Sequence, residues 1–377
     1  MTTHVFVVDI NTFKYHLEYM FAGTGAKDKQ SSFLLNSNIS FNATTERMLV
    51  GMIADISRVR IGDNIIFYLQ ASNGTPGMFF GVFKAESLPF FDENDDQNYL
   101  VDKLYKGLSF RILISGENVY PKGITEHEYL DSLKGKKHPA DLCWSLIYRK
   151  LKGNRGCTMI MDYEFDNLLE KLKEKNNNIV INSKNFTFNF KTKEIESYNN
   201  DLVYSGRQSE MNIKERLIYK FSRKNAFETH LQAYLTQNFD NISYKDILLP
   251  LPNEEVWIGN EVSCGVGMQR IDLMFKQETN TEIFIKLVEL KDEAPYRDIV
   301  DSQIPWYLEW LSYYVIPKYL DKKIHVVPCI IAKGEPSDSI KSHFAKFSFN
   351  IDNADVSNLE YIWFNIENDD IKLMKYL

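Results

Sequence analysis

Two short segments place charged side chains where strand sequence is otherwise apolar: Arg270-Ile271-Asp272-Leu273-Met274-Phe275 and Leu287-Val288-Glu289-Leu290-Lys291. A strand flanked this way is normally apolar throughout, because taking a lone charge out of water costs several kcal/mol. Glu289 and Lys291 are two residues apart, so their side chains share one face of the strand and Leu290 takes the other. If the two strands are neighbours, Asp272 and Glu289 converge on one hard divalent cation, Mg2+ with Mn2+ as a substitute. The backbone carbonyl of Leu290 can add a ligand, and water and phosphate oxygens fill the remaining positions. Such an ion lowers the pKa of a bound water and offsets the charge that builds on phosphorus, while the Lys291 ammonium orients the nucleophile or offsets developing charge. The chemistry implied is hydrolysis of a phosphodiester without a covalent intermediate. The competing reading is a salt bridge between Asp272 and Lys291 on a half-exposed sheet, which leaves the tight apolar flanks unexplained.

Further polar residues fall at helical spacing around this pair. Glu228 lies on an apolar-periodic stretch, Ala226 to Asn238, and Gln232 follows one turn later on the same face. Gln303 and Tyr307 are likewise one turn apart, after Lys291, where they can position the lysine or a phosphate. Each also fits a solvated helix surface.

These residues need a framework, and the pattern from Asn212 onward supplies one. After the Glu228 helix come strand patterns at Glu255–Ile258, Arg270–Phe275, Thr281–Leu290 and Val326–Ala332, with a long apolar helix expected over Ile304–Leu320. That order predicts an α/β core with a mixed sheet and helices on both sides. The first 115 or so residues read differently. Strand patterns at His4–Val8, Asp63–Leu69, Gly77–Phe83 and Phe110–Ile114, separated by Gly-containing turns, predict a small β-barrel or a strongly bent sheet. Phe13–Met20 and Phe165–Lys175 are expected as helices, as is Ala140–Lys150 in whole or part, and Asn176–Asn200 as a connecting hairpin. The expected organisation is therefore α+β in two domains: residues 1–160, a linker with helix and hairpin over 161–211, and 212–377.

The chain of 377 residues is 44% hydrophobic and 14% aromatic, which is ample for two cores and excludes extended disorder. Four cysteines without paired spacing, and no leader-like or long uncharged apolar run, point to a reducing cytoplasmic compartment. The net charge of -7 argues against a polyanionic partner when taken over the whole chain. Locally, Lys134, Lys136, Lys137 and His138 with Arg149, Lys150, Lys152 and Arg155 form a basic stretch that can track phosphates, or a solvated surface. The acidic run Asp92-Glu93-Asn94-Asp95-Asp96 would have to face away from nucleic acid.

Arg270-Ile271-Asp272 followed by Val288-Glu289-Leu290-Lys291 resembles the PD-(D/E)XK nuclease superfamily. The resemblance implies a restriction-endonuclease-like core, with Asp272, Glu289 and Lys291 handling metal and water. Glu228 corresponds to the acidic residue of its first helix, and Gln303 with Tyr307 to the Gln-x-x-x-Tyr motif of exonuclease-like branches. Gln303 to Leu311 is also similar to NucS-like nucleases. The likeness covers Asn212 to Lys333 and departs from the pattern at Met268 and Gln269, where many members keep a proline.

The first half, through Arg60–Tyr68 and Gly77–Ala85, resembles PUA-like barrels of the EVE and YTH branches. That likeness implies an aromatic-lined pocket for one flipped-out, often modified base. Trp144, Phe67, Tyr68, Phe79 and Phe80 are candidate walls, with barrel core the competing role, and Asn11, Thr12 and Ser72 are candidate base-edge partners. Together the halves imply a Mg2+-dependent restriction endonuclease acting on double-stranded DNA, with a homodimer or transient pairing for two-strand cleavage. A structure-directed repair nuclease and a non-catalytic nucleic-acid-binding protein are the alternatives.

Overall fold

β-Branched and aromatic residues crowd the first strand, β1 (Thr3–Val8), and every one of its side chains is at least half-buried. In the computed structural model, which describes residues 1–25, 43–72, 74–92, 99–131, 135, 138–141, 156–224, 226–264 and 269–376, the chain forms two units. The mixture of helix and sheet is the α+β composition expected, and no helix among the described residues is long and apolar enough to cross a membrane.

The first unit is built on a curled half-barrel sheet. Its further strands are β2 (Phe21–Thr24), β3 (Asn64–Leu69), β4 (Met78–Ala85), β5 (Phe90–Phe91), β6 (Phe110–Gly116), β7 (Ile124–Thr125) and β8 (Cys157–Ile160). The order is β2-β6-β4-β3-β1-β8, with β5 beside β6 and β7 beside β4. β1 and β3 run parallel, so the chain between them must cross over. That crossover contains the helices Ile10–Glu18, capped by Asp9 through the N–H groups of Asn11 and Thr12 at 2.9 Å each, and Ala43–Ile56. Edge strands β2 and β8 are not laddered, but approach where Gly156 lies against Thr24, too close for any side chain.

The expected linker, 161–211, is instead part of this unit. The helix Asp162–Lys175 buries Leu168 and Leu172 against Val5, Tyr68 and Phe79. The hairpin of β9 (Asn185–Asn189) and β10 (Glu194–Tyr198) sets Phe188 5.1 Å from Phe13 and 5.6 Å from Phe80, ring centre to ring centre. Phe186 lies on Gly116, where a Cβ would meet its ring at 2.5 Å. The segment supplies aromatic core that the curled sheet lacks, so it cannot act as a free connector. Of the expected helix Ala140–Lys150, only the short 3-10 turn Pro139–Asp141 lies among the described residues.

The second unit begins with the helices Lys214–Ser222 and Glu228–Asn238. An antiparallel meander follows: β11 (Val256–Ser263), β12 (Arg270–Glu278) and β13 (Glu282–Lys291). β14 (Lys323–Lys333) is parallel to β13, the short β15 (Asp355–Val356) and β16 (Glu360–Glu367) are parallel to β14, and β17 (Asp370–Lys375) closes the sheet antiparallel to β16. The mixed sheet has helices on both faces. Phe239, after the helix Glu228–Asn238, packs 6.0 Å from Phe275 on one face, and the helix Ile304–Tyr314 puts Tyr307 on the face of Glu289. That helix is shorter than its apolar run suggests. It ends at Tyr314 and gives way to a 3-10 turn containing Pro317, whose ring cannot continue an α-helix.

Candidate active site

β12 and β13 pair in register from Glu278/Ile283 to Leu273/Val288, and there the ladder stops. Beyond it β12 stays with β11 and β13 stays with β14, so the strands part like the arms of a V. Asp272 and Glu289 are the first residues past the last pair and lie on the same face by alternation.

The Asp272 carboxylate fills the opening, with Oδ2 accepting the Leu290 N–H at 2.7 Å. Backbone carbonyls of the freed β12 end are also satisfied by side chains. Gln232 Nε2 donates to Asp272 O at 2.9 Å, and the Tyr307 hydroxyl lies 2.7 Å from Arg270 O. Sequence that reads as an ordinary strand thus holds a carboxylate in place of ladder hydrogen bonds.

Glu289 is held from three sides. Oε1 accepts from Lys291 Nζ and from Gln303 Nε2 at 2.7 Å, while Oε2 lies 2.8 Å from the Tyr307 hydroxyl. Gln303 Nε2 also donates to Tyr307 Oη at 2.6 Å, so one turn of helix presents a linked pair to one carboxylate. A π-helical turn, Ile299–Gln303, precedes that helix and brings Gln303 into place. Glu228 Oε2 is 3.7 Å from Lys291 Nζ. All six residues expected to form the site, Glu228, Asp272, Glu289, Lys291, Gln303 and Tyr307, therefore meet in one place. The salt bridge weighed from sequence takes another form: Lys291 pairs with Glu289 and Glu228 rather than Asp272.

Charge in the cluster is unbalanced, with three carboxylates around one ammonium. Burial holds the Asp272 carboxyl well above its usual value, and the charges of Glu289 and Glu228 push it further. Glu228 is raised too, first by burial, with Glu289 and Asp292 adding to the rise and Lys291 opposing it. Burial works to lower the Lys291 ammonium, but the surrounding carboxylates outweigh it and the net shift is upward. The Tyr307 hydroxyl is pushed far up by burial and the same acids, so it remains a neutral donor.

An all-oxygen donor set short of positive charge fits a hard divalent cation. Among the described residues no three His, Cys, Asp or Glu side chains form a ready cage. Mg2+ takes one or two carboxylates and keeps several waters. Asp272 and Glu289 would hold the ion, the latter through Oε2, whose partner among the described residues is Tyr307. For Leu290, the third ligand expected, the contact present is its N–H to Asp272 rather than its carbonyl.

Sequence reading missed two members. Asp292 Oδ2 accepts the Phe227 N–H at 3.3 Å, anchoring the residue before Glu228 to the end of β13. Its place directly after Lys291 was the available signal. Glu261 raises both Asp272 and Glu228, and reaches them only through the β11/β12 register.

Of the candidate pocket walls in the first unit, those among the described residues take the competing role of core. Phe67 and Phe80 pack against Phe13 at 5.4 and 5.2 Å, whereas Tyr68 and Phe79 belong to the cluster on the opposite face. Adjacent strand residues point to opposite faces, so these four are core on two sides of a sheet. Thr12 is buried, Asn11 is exposed beside the Asp9 cap, and Ser72 pairs with Thr75 in a turn. Asp92, from the acidic run, is buried against Arg111. Trp144, residues 93–96 and the basic stretch apart from His138 lie outside the described residues.

No protein-family model and no curated protein matches the chain. Solved structures similar to it include a hypothetical protein from Leishmania major, at 14% identity and TM-score 0.28, covering 46% of this chain and 96% of that one. Human THYN1 in complex with 5-methylcytosine-containing DNA matches at 11% identity and TM-score 0.26, covering 46% and 98%. A Pseudomonas putida protein matches at 11% identity and TM-score 0.26, covering 45% and 99%.

Proposed function

We propose that the second unit is a Mg2+-dependent endonuclease hydrolysing DNA phosphodiester bonds, in a restriction-type enzyme whose first unit selects a specific or modified base. The observation that carries the reading is the meeting of Asp272, Glu289 and Lys291 where β12 and β13 part, at the C-terminal end of parallel strands where α/β sheets bind ligands. When bound, the cation supplies charge neutralisation at the phosphate and a more acidic water. Asp272 and Glu289 would hold it, and the Lys291 ammonium would face the attacking water and the scissile phosphate. Gln303 and Tyr307 fix the Glu289 carboxylate so that no rearrangement is needed during reaction. The base-selecting role of the first unit rests on its sequence resemblance to PUA-like barrels. Cleavage of both strands requires two such centres, and so a homodimer or a transient pair of chains.

The full chain, incubated with Mg2+ and matched methylated, hydroxymethylated and unmodified genomic DNA, is expected to give discrete ends whose sequencing reports the site and any modification required. Cutting confined to mismatched or branched DNA would move the reading to a repair nuclease. Asp272→Ala should abolish cleavage while DNA binding persists, and full activity in that variant overturns the assignment.

A further inference from the structure

We propose that Arg223, Lys224 and Lys333 form a phosphate clamp beside the carboxylate cluster, gripping the DNA backbone next to the bond that is cut; the clamp rests on the nuclease reading above. Lys333 ends β14, one residue past Ala332, which pairs with Lys291. Its ammonium lies 4.2 Å from the centre of the Phe221 ring and 5.9 Å from that of Phe227. Phe221, Phe227 and Phe364 pack together with ring centres 5.5 to 5.7 Å apart, forming an apolar floor under this cation. Phe227 directly precedes Glu228, whose carboxylate meets Lys291, and its N–H is tied to Asp292. A continuous line of contacts therefore joins Lys333 to the reacting centre.

Arg223 and Lys224 follow the helix Lys214–Ser222 and are exposed. The guanidinium of Arg223 lies 5.5 Å from the Tyr219 ring centre, and Lys224 takes a left-handed turn with φ of 53°. Among the described residues none of the three cations has a carboxylate partner. On the same unit Lys276, Lys286, Lys318, Lys322 and Lys375 are ion-paired. The nearby acids are otherwise engaged, Glu228 with Lys291 and Asp292 with a backbone N–H. Lys333 is held over aromatic rings, an arrangement that keeps a cation in position without neutralising it. Three cations without a carboxylate partner among the described residues, one of them held over aromatic rings, suit a polyanion that must approach carboxylates, because the clamp offsets the repulsion along the adjoining phosphates.

The test measures duplex-DNA binding in the Asp272→Ala background, where cleavage does not interfere, as a function of NaCl concentration. Combined Arg223→Gln, Lys224→Gln and Lys333→Gln should weaken binding and make the log–log salt slope shallower by about 2 to 3, at about 0.9 per phosphate contact on B-DNA. Arg223→Lys with Lys224→Arg and Lys333→Arg should keep the slope. So should Lys322→Gln with Lys323→Gln, at the other end of β14. An unchanged slope in the triple Gln variant overturns the clamp and leaves the nuclease reading intact. Salt-dependent binding lost in that variant, in a protein whose unmutated form never cuts DNA, supports the clamp and overturns the nuclease reading. No binding of duplex at all overturns both.

Discussion

Each unit buries a cluster of charged side chains, and the two differ in whether the charges balance. In the first unit Arg111 and Asp92 are both 0% exposed and pair at 2.9 Å. The five N–H groups of the guanidinium reach Asp92, Tyr204 Oη and the carbonyls of Leu108, Tyr99 and Gly107. Asp92 also accepts the Tyr99 N–H at 2.6 Å. One cation meets one anion, and Tyr204 and the backbone take up the remaining donors, while burial still raises the Asp92 carboxyl and leaves its Oδ1 without a hydrogen bond among the described residues. In the second unit three carboxylates surround Lys291, which pairs with two of them, and burial and mutual repulsion hold Asp272 and Glu228 above their usual values. A network closed in charge, as in the first unit, ties loops to a sheet. A cluster left short of positive charge would gain from a bound cation, as the proposed function requires.

The sharpest way to break this contrast is Asp272→Asn. Cleavage should fall by on the order of 10^3-fold, the scale of losing one preorganised electrostatic group, measured as Mg2+-dependent nicking of supercoiled plasmid. Stability should move the other way. Because the folded chain holds the Asp272 proton more tightly than the unfolded chain does, the resulting stabilisation is complete below the unfolded value of about 3.9 and is lost as pH rises through the folded pKa. At neutral pH without metal the ionised group is a net cost, so the Asn variant should melt above the parent. Saturating Mg2+ should reverse the order by stabilising the parent alone, by about 2.7 kcal/mol at a hundred times the dissociation constant. An Asn variant that melts lower, with a parent indifferent to Mg2+, would remove the distinction between the clusters.

Arg111→Met tests the other half. It leaves Asp92 buried without its partner and should cost about 3–5 kcal/mol, read from urea unfolding of the first unit. Replacing both charges, as Arg111→Met with Asp92→Leu, should recover much of that loss, since a paired buried charge contributes little over an apolar pair of similar volume. A single variant as stable as the parent would mean that the network is not closed.

Much of the second cluster was legible in sequence because its signals are local. The spacing of Glu289 and Lys291 fixes their shared face, and one helical turn links Gln303 to Tyr307. What was hidden depends on register and strand divergence. No pattern in Arg270–Asp272 reveals that pairing stops after Leu273, or that Gln232 and Tyr307 then satisfy carbonyls of the freed strand. In the first unit the strands were readable, but the hairpin after Asn176 looked like a connector because its aromatic residues alternate with polar ones. Only the partners of Phe186 and Phe188 make it core. Arg111 and Asp92 are 19 positions apart in sequence, and their pairing follows from β5 lying beside β6.

The smallest change separates positioning from ligation within the second cluster. Tyr307→Phe deletes a hydroxyl that takes a hydrogen bond from Gln303 and has one proton to offer to either Arg270 O or Glu289 Oε2. It should cost about 0.5–1.5 kcal/mol of stability. If the hydroxyl serves to fix Glu289, the variant should lose up to about tenfold in kcat, the equivalent of the same free energy, with KM for DNA unchanged and the Mg2+ requirement shifted to higher concentration. A shift in KM alone would place Tyr307 in substrate binding. Loss of stability with unchanged kcat would make it part of the framework, and would transfer its half of the unbalanced cluster to the closed kind seen around Arg111.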